Sequence, residues 1–152
     1  MRNSHLEIKT ALQIQKPVTE VFEALVDHEK MKNYFISESS GRMEEGKELI
    51  WKFPEFDAEV PVKVGSVEQD KYISFYWDAD YGLLVEINLH PGVNSSTIVV
   101  VTEKSKPNDE AGIAWLKGNT EGWANFLACF KAYLEYGINL RKGAFEFRRG
   151  EF

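Results

Sequence analysis

The chain has 152 residues, a net charge of −6 and a pI near 5.2, a length that suits one domain with a real core. The acidic balance argues against nucleic acid as a partner, because phosphate binding needs a basic surface. A single cysteine, Cys129, excludes an internal disulfide or a cysteine-rich zinc site and fits a reducing compartment. The N-terminus MRNSHLEIKT lacks the apolar run of a signal peptide, and no apolar stretch reaches the roughly 18 residues of a membrane span, so a cytoplasmic protein is expected.

Leu6, Ile8, Thr10, Leu12 and Ile14 alternate with polar neighbours, the period of a half-buried strand. Lys16-Pro17 ends it, and Pro17 sits where proline favours a helix start. Val18, Val21, Phe22 and Leu25 form a short helix face. Asp27 can cap a second short helix that carries Met31, Tyr34 and Phe35. Residues 37–46 read as a loop with a short strand near Arg42. Leu49, Trp51 and Phe53 share one face of the next strand. Ala58, Val60, Val62 and Val64 share a face of the one after, where Pro61 marks an edge or a bulge. Residues 72–77 form a β-prone run with Ile73, Phe75 and Trp77 on one face and Tyr72 and Tyr76 on the other. Leu83, Val85, Ile87 and Leu89 alternate in the next strand, and residues 97–102 form the last.

Residues 119–139, NTEGWANFLACFKAYLEYGIN, read as a long amphipathic helix. Trp123, Phe126, Phe130, Tyr133 and Leu134 recur at steps of three and four, and Leu127 widens the stripe. Asn119 or Thr120 is the expected cap, Gly118 the expected break before it, and Gly137 the stop. Closely spaced strands after two short helices predict an antiparallel meander with the helices on one side, an α+β layout.

The chemistry is sparse. His5, His28 and His90 are far apart and form no metal-ligand spacing, so no metal or other cofactor is expected. Cys129 reads as a buried small hydrophobe, because reactive thiols need an electropositive, exposed setting. Asp57, Glu59, Glu86 and Asn88 fall opposite the apolar faces. Asp78 and Asp80 belong to a turn, and Glu121 reads as a partner of the helix dipole. No residue nominates itself as a catalytic acid, base or nucleophile.

Three stretches resemble a known family: Lys16–Phe35 (KPVTEVFEALVDHEKMKNYF), Lys47–Phe53 (KELIWKF) and Gly122–Gly137 (GWANFLACFKAYLEYG). They are similar to the START-like (SRPBCC) helix-grip superfamily, and within it to homologues of the activator of the heat-shock-protein-90 ATPase. The resemblance implies a curved antiparallel sheet of about seven strands wrapped around the long C-terminal helix, with two short helices after strand 1. It covers residues 1–141 and leaves residues 142–152 as a tail, in which Ala144, Phe145 and Phe147 could pack on the body or on a second copy of the chain, or which could be mobile as a whole. It also implies a cavity between helix and sheet, where many superfamily members hold apolar molecules. The expected occupant is a small lipid-like or aromatic molecule. Trp51, Phe53, Trp77, Trp123, Phe126 and Phe130 would supply contact area, with Tyr76, Tyr81 and Asn88 as weaker polar anchors. Two alternatives follow from the same resemblance: a co-chaperone-like module with a protein partner, and a cyclase or hydrolase of the kind found elsewhere in the superfamily.

Overall fold

In a computed structural model, which describes residues 4–150, the period-two segments pair as they are spaced. The strands are β1 (His5–Ile14), β2 (Glu38–Ser39), β3 (Glu48–Phe53), β4 (Phe56–Glu68), β5 (Tyr72–Trp77), β6 (Leu83–Pro91) and β7 (Thr97–Pro107). They form one antiparallel sheet in the order β1-β7-β6-β5-β4-β3-β2. Residues 5–14 close the meander by pairing with β7. This is the helix-grip architecture expected from the sequence.

The sheet curves because β4 carries an extra residue. Val64 pairs with Phe75 and Val67 with Ile73, so Gly65 and Ser66 face one residue, Ser74. Such a bulge bends the strand and increases its twist. Pro61 lies at a local edge. It pairs with Ile50 of β3, while pairing to β5 begins only at Lys63, so no donor is missed on that side.

Helices α1 (Val18–Val26) and α2 (His28–Met31) follow β1. The Asp27 carboxylate accepts from the Glu29 N–H at 2.9 Å and caps α2. The long helix α3 spans Glu110–Tyr136 and packs against β1 and β7. It starts nine residues before the expected Asn119. Asp109 is its cap, accepting from the Gly112 N–H at 2.7 Å, and the chain runs unbroken through Gly118. The capping bond at Asp109 starts the helix one turn upstream of any glycine, and one interior glycine costs only about 1 kcal/mol. Gly112 must be glycine, because a Cβ there would sit 1.9 Å from the Pro107 carbonyl oxygen. Gly137 ends the helix at φ 66°, as expected. Glu121 therefore lies in mid-helix rather than at its start, and it faces Arg148 at 3.8 Å.

The core sits between α3, α1 and the concave sheet face. Tyr34 stacks on Phe130 at 4.5 Å between centroids, and its hydroxyl donates to the Ala24 carbonyl at 2.5 Å. Burial pushes the Tyr34 pKa well up. After α3 the chain folds back over the β3–β4 turn. Arg141 pairs with Glu55, and Arg149 donates to the Pro54 carbonyl and to Asp57. A short helix α4 spans Phe147–Gly150. Glu151 and Phe152, the end of the expected tail, lie outside the described residues. No helix among the described residues is long and apolar enough to cross a membrane.

Candidate functional site

The aromatic residues split into two groups along α3. At one end Trp51, Phe75, Phe126 and Phe35 meet edge to face, with centroids 4.7 to 5.6 Å apart where they touch. The void left among them is about 10 Å³, the size at which a single water barely fits. At the other end lies a pocket of about 450 Å³, within the range of small-molecule sites.

Phe35, which follows α2, and Asp78, which follows β5, line that pocket together with three larger parts of the fold. The β-strands supply Phe53, Val60, Trp77 and Leu83. Helix α3 supplies Trp115, Gly118, Asn119, Gly122, Trp123 and Asn125. The segment after α3 supplies Arg141, Phe145 and Arg148, opposite Glu55 of the β3–β4 turn and Phe56 at the start of β4. Gly118 and Gly122 are one helical turn apart, and a Cβ at either would meet nothing within 4 Å. The helix gives up the stability alanine would bring at two positions, and bare backbone lines the pocket there.

Glu103 holds the two large indoles in place. It is fully buried on the inward face of β7, next in line after Val99 and Val101. Trp77 Nε1 donates to its Oε2 at 2.6 Å. Trp123 Nε1 and Asn119 Nδ2 donate to its Oε1 at 2.9 and 3.0 Å. A buried acceptor with three N–H donors is well satisfied, and each donor belongs to a pocket wall. The carboxyl thus fixes α3 and β5 in register behind the site.

The opposite wall is less complete. Glu55 and Arg141 form a buried ion pair, with side chains 8% and 11% exposed. Glu55 Oε2 and Arg141 Nε have no partner, and neither does Trp115 Nε1. The Arg141 guanidinium lies 5.6 Å from the Phe35 ring centre, 5.9 Å from that of Phe53 and 4.9 Å from that of Phe145, a cation held among ring faces.

Of the six side chains expected to give contact area, Phe53, Trp77 and Trp123 line this pocket. Trp51 and Phe126 belong to the small void, and Phe130 is sealed against Tyr34. None of the three polar anchors reaches the pocket. Tyr76 and Asn88 lie on the outer sheet face, and Tyr81 sits in the β5–β6 turn at φ 55°. The strand expected over residues 97–102 stops one residue short of Glu103, whereas β7 runs on to Pro107. Extending the alternation Val99–Val101 by one step would have placed an acid on the core face. Glu55, Asn119 and Arg141 carry no local signal, since their roles come from residues far along the chain.

The rest of the molecule offers less. A depression of about 490 Å³ lies between α1 and α3, but its rim is charged. Arg42 forms a two-pronged pair with Glu23 there, and that hydrogen bond lowers the Glu23 pKa. Cys129 is buried, and desolvation pushes its thiol pKa up, which disfavours the reactive thiolate. Among the described residues, no three His, Cys, Asp or Glu side chains gather as metal ligands would.

A family model described as Activator of Hsp90 ATPase homolog 1-like protein matches residues 15–135. Among solved structures, protein SSP2350 from Staphylococcus saprophyticus is 35% identical. It has a TM-score of 0.78 over 90% of this chain and 96% of that one. The Aha1 dimer from Colwellia psychrerythraea is 19% identical, with a TM-score of 0.74 over 87% and 98%. CalU16 from Micromonospora echinospora is 18% identical, with a TM-score of 0.68 over 95% and 84%. The last two are similar in fold alone. No curated protein matches the sequence.

Proposed function

The chain belongs to the Activator of Hsp90 ATPase homolog 1-like family, and within that family we propose that it is a binding module for a small, mostly apolar molecule. The molecule sits between α3, the inner sheet face and the segment after α3. The pocket of about 450 Å³ carries this reading. Its walls are mainly apolar, with seven aromatic side chains among them, and ligand sites combine such walls with a few placed polar groups. Glu103 supports the reading, because it holds the Trp77 and Trp123 walls rigid before any guest arrives, and pre-ordered walls bind at lower entropic cost.

The other readings have thinner support. A protein-interaction module would use Tyr136, Ile138 and Leu140, three exposed apolar side chains at the end of α3. A cyclase or hydrolase would need a titratable group tuned within the pocket. The groups with shifted pKa values, Glu23, Tyr34, Arg42, Tyr72, Cys129 and Glu135, do not line it.

The test is native mass spectrometry of freshly purified protein, followed by extraction and by incubation with a mixed set of neutral ring compounds. The expected result is an adduct that a Gly122→Leu variant loses, because the leucine side chain enters the empty space over the helix. A wild-type protein that never shows an adduct, or a variant that keeps it, would overturn the reading.

A further inference from the structure

Trp115, Asn119 and Trp123 recur four residues apart on α3 and so share one stripe of the helix. All three line the pocket. Gly118 and Gly122 run beside that stripe, and a Cβ at either would meet nothing within 4 Å, so space lies open next to Asn119.

The amide of Asn119 has one orientation. Both carboxyl oxygens of Glu103 accept from an indole N–H, that of Trp77 at 2.6 Å and that of Trp123 at 2.9 Å, and an indole can only donate. The Asn119 group 3.0 Å from Oε1 is therefore its NH2, which turns the carbonyl oxygen Oδ1 away from Glu103. That oxygen accepts no hydrogen bond among the described residues. Unlike Glu55 Oε2, Arg141 Nε and Trp115 Nε1, it is not sealed from solvent. Donation by the NH2 to a carboxyl group polarises the amide and makes its oxygen a stronger acceptor. The pocket thus holds a fixed, accessible acceptor between two indoles.

The charged groups that line the pocket already have counter-ions. Glu55 is paired with Arg141, Asp78 with Lys106 at 3.1 Å and Arg148 with Glu121 at 3.8 Å. A charged guest would bury an unmatched ion. Resting on the binding-module reading, we propose that Asn119 sets the guest class: a neutral, ring-bearing molecule whose O–H or N–H donates to Oδ1. The rings of Trp115 and Trp123 supply contact area, and the donor decides between guests of equal shape.

The test uses full-length protein, equilibrium dialysis and three probes built on one ring system. 2-Naphthol carries a donor, 2-methoxynaphthalene keeps the oxygen without its hydrogen, and 2-methylnaphthalene has neither. Wild-type protein is expected to hold 2-naphthol about tenfold more tightly than the other two, because a site placed to bond an O–H rejects analogues that lack it. In Asn119→Leu that preference should fall below about twofold, while 2-methylnaphthalene binds as before. A residue that only braced the fold would weaken all three probes alike and leave the ratio unchanged. Asn119→Ala, which removes the amide without adding bulk, replaces the leucine variant if circular dichroism shows that variant unfolded. Equal affinity for the three probes in wild-type protein would overturn the assignment and leave the pocket standing, and so would a preference that survives in the variant. If wild-type protein holds none of the probes, the pocket reading falls with it.

Discussion

The two ends of α3 use the same residue types to opposite effect. Around Tyr34, Phe126 and Phe130 the rings interlock and leave almost no space. Trp123 touches Phe126 and Trp77 at 5.1 and 5.6 Å and closes the packed end on one side, while beyond it Trp115 and Phe145 border about 450 Å³ of open space. Aromatic content does not separate the two regions. What separates them is the residue that faces the rings from the helix: phenylalanine and leucine at the closed end, Gly118 and Gly122 at the open end. Polar satisfaction does not separate them: the Tyr34 hydroxyl at the closed end has its carbonyl acceptor, but Trp51 Nε1 there lacks a partner, as do Glu55 Oε2, Arg141 Nε and Trp115 Nε1 at the open end. A core removes voids. A site keeps them.

The contrast is tested most strongly by making one change at both ends. Phe126→Ala should cost about 3–5 kcal/mol, because a fully buried ring leaves a cavity that the packed neighbours cannot fill. Phe145→Ala at the pocket wall should cost about 1 kcal/mol or less, since that ring is half exposed and mainly faces Arg141 and Arg148. Urea unfolding of the two variants measures the difference, and equal losses would erase the distinction between core and wall.

Glu103 anchors the pocket walls at the open end, and its replacement is the next largest effect. Glu103→Gln keeps the shape but places an amide N–H against an indole or amide N–H, which leaves a buried donor unmatched. A loss of about 2–3 kcal/mol follows. Fluorescence would show the same event, because Trp77 and Trp123 both bond to this group. An unchanged emission spectrum together with unchanged stability would rule out the positioning role. The smallest effect runs the other way. Gly122→Ala should raise the thermal midpoint, for a gain of up to about 1 kcal/mol, since alanine is the better helix former and its Cβ meets open space. A loss of stability there would mean that the floor of the pocket is closed.

Much of this architecture was legible along the chain. Alternation placed Leu83, Val85, Ile87 and Leu89 on one face, and all four are buried. The steps of three and four from Trp123 to Phe130 marked the buried side of α3, and Asp27 and Gly137 gave the expected cap and stop. Such signals are local: a side chain's face follows from its position within a regular period. The start of α3 was harder to place, because Gly118 resembles a break and Asp109 declares itself as a cap only when its bond to Gly112 is seen.

The sequence by itself determined the strands, the helix stripe, the family resemblance and the pool of aromatic residues. Tertiary structure alone decided which rings became core and which became wall. That choice depends on what stands opposite each ring, and opposition is set by pairs distant in the chain: Glu103 with Trp77 and Asn119, Glu55 with Arg141, Pro54 with Arg149. A period of 2.0 or 3.6 tells a side chain which way to point, but the partner it meets there is fixed only when sheet, helix and C-terminal segment close on one another.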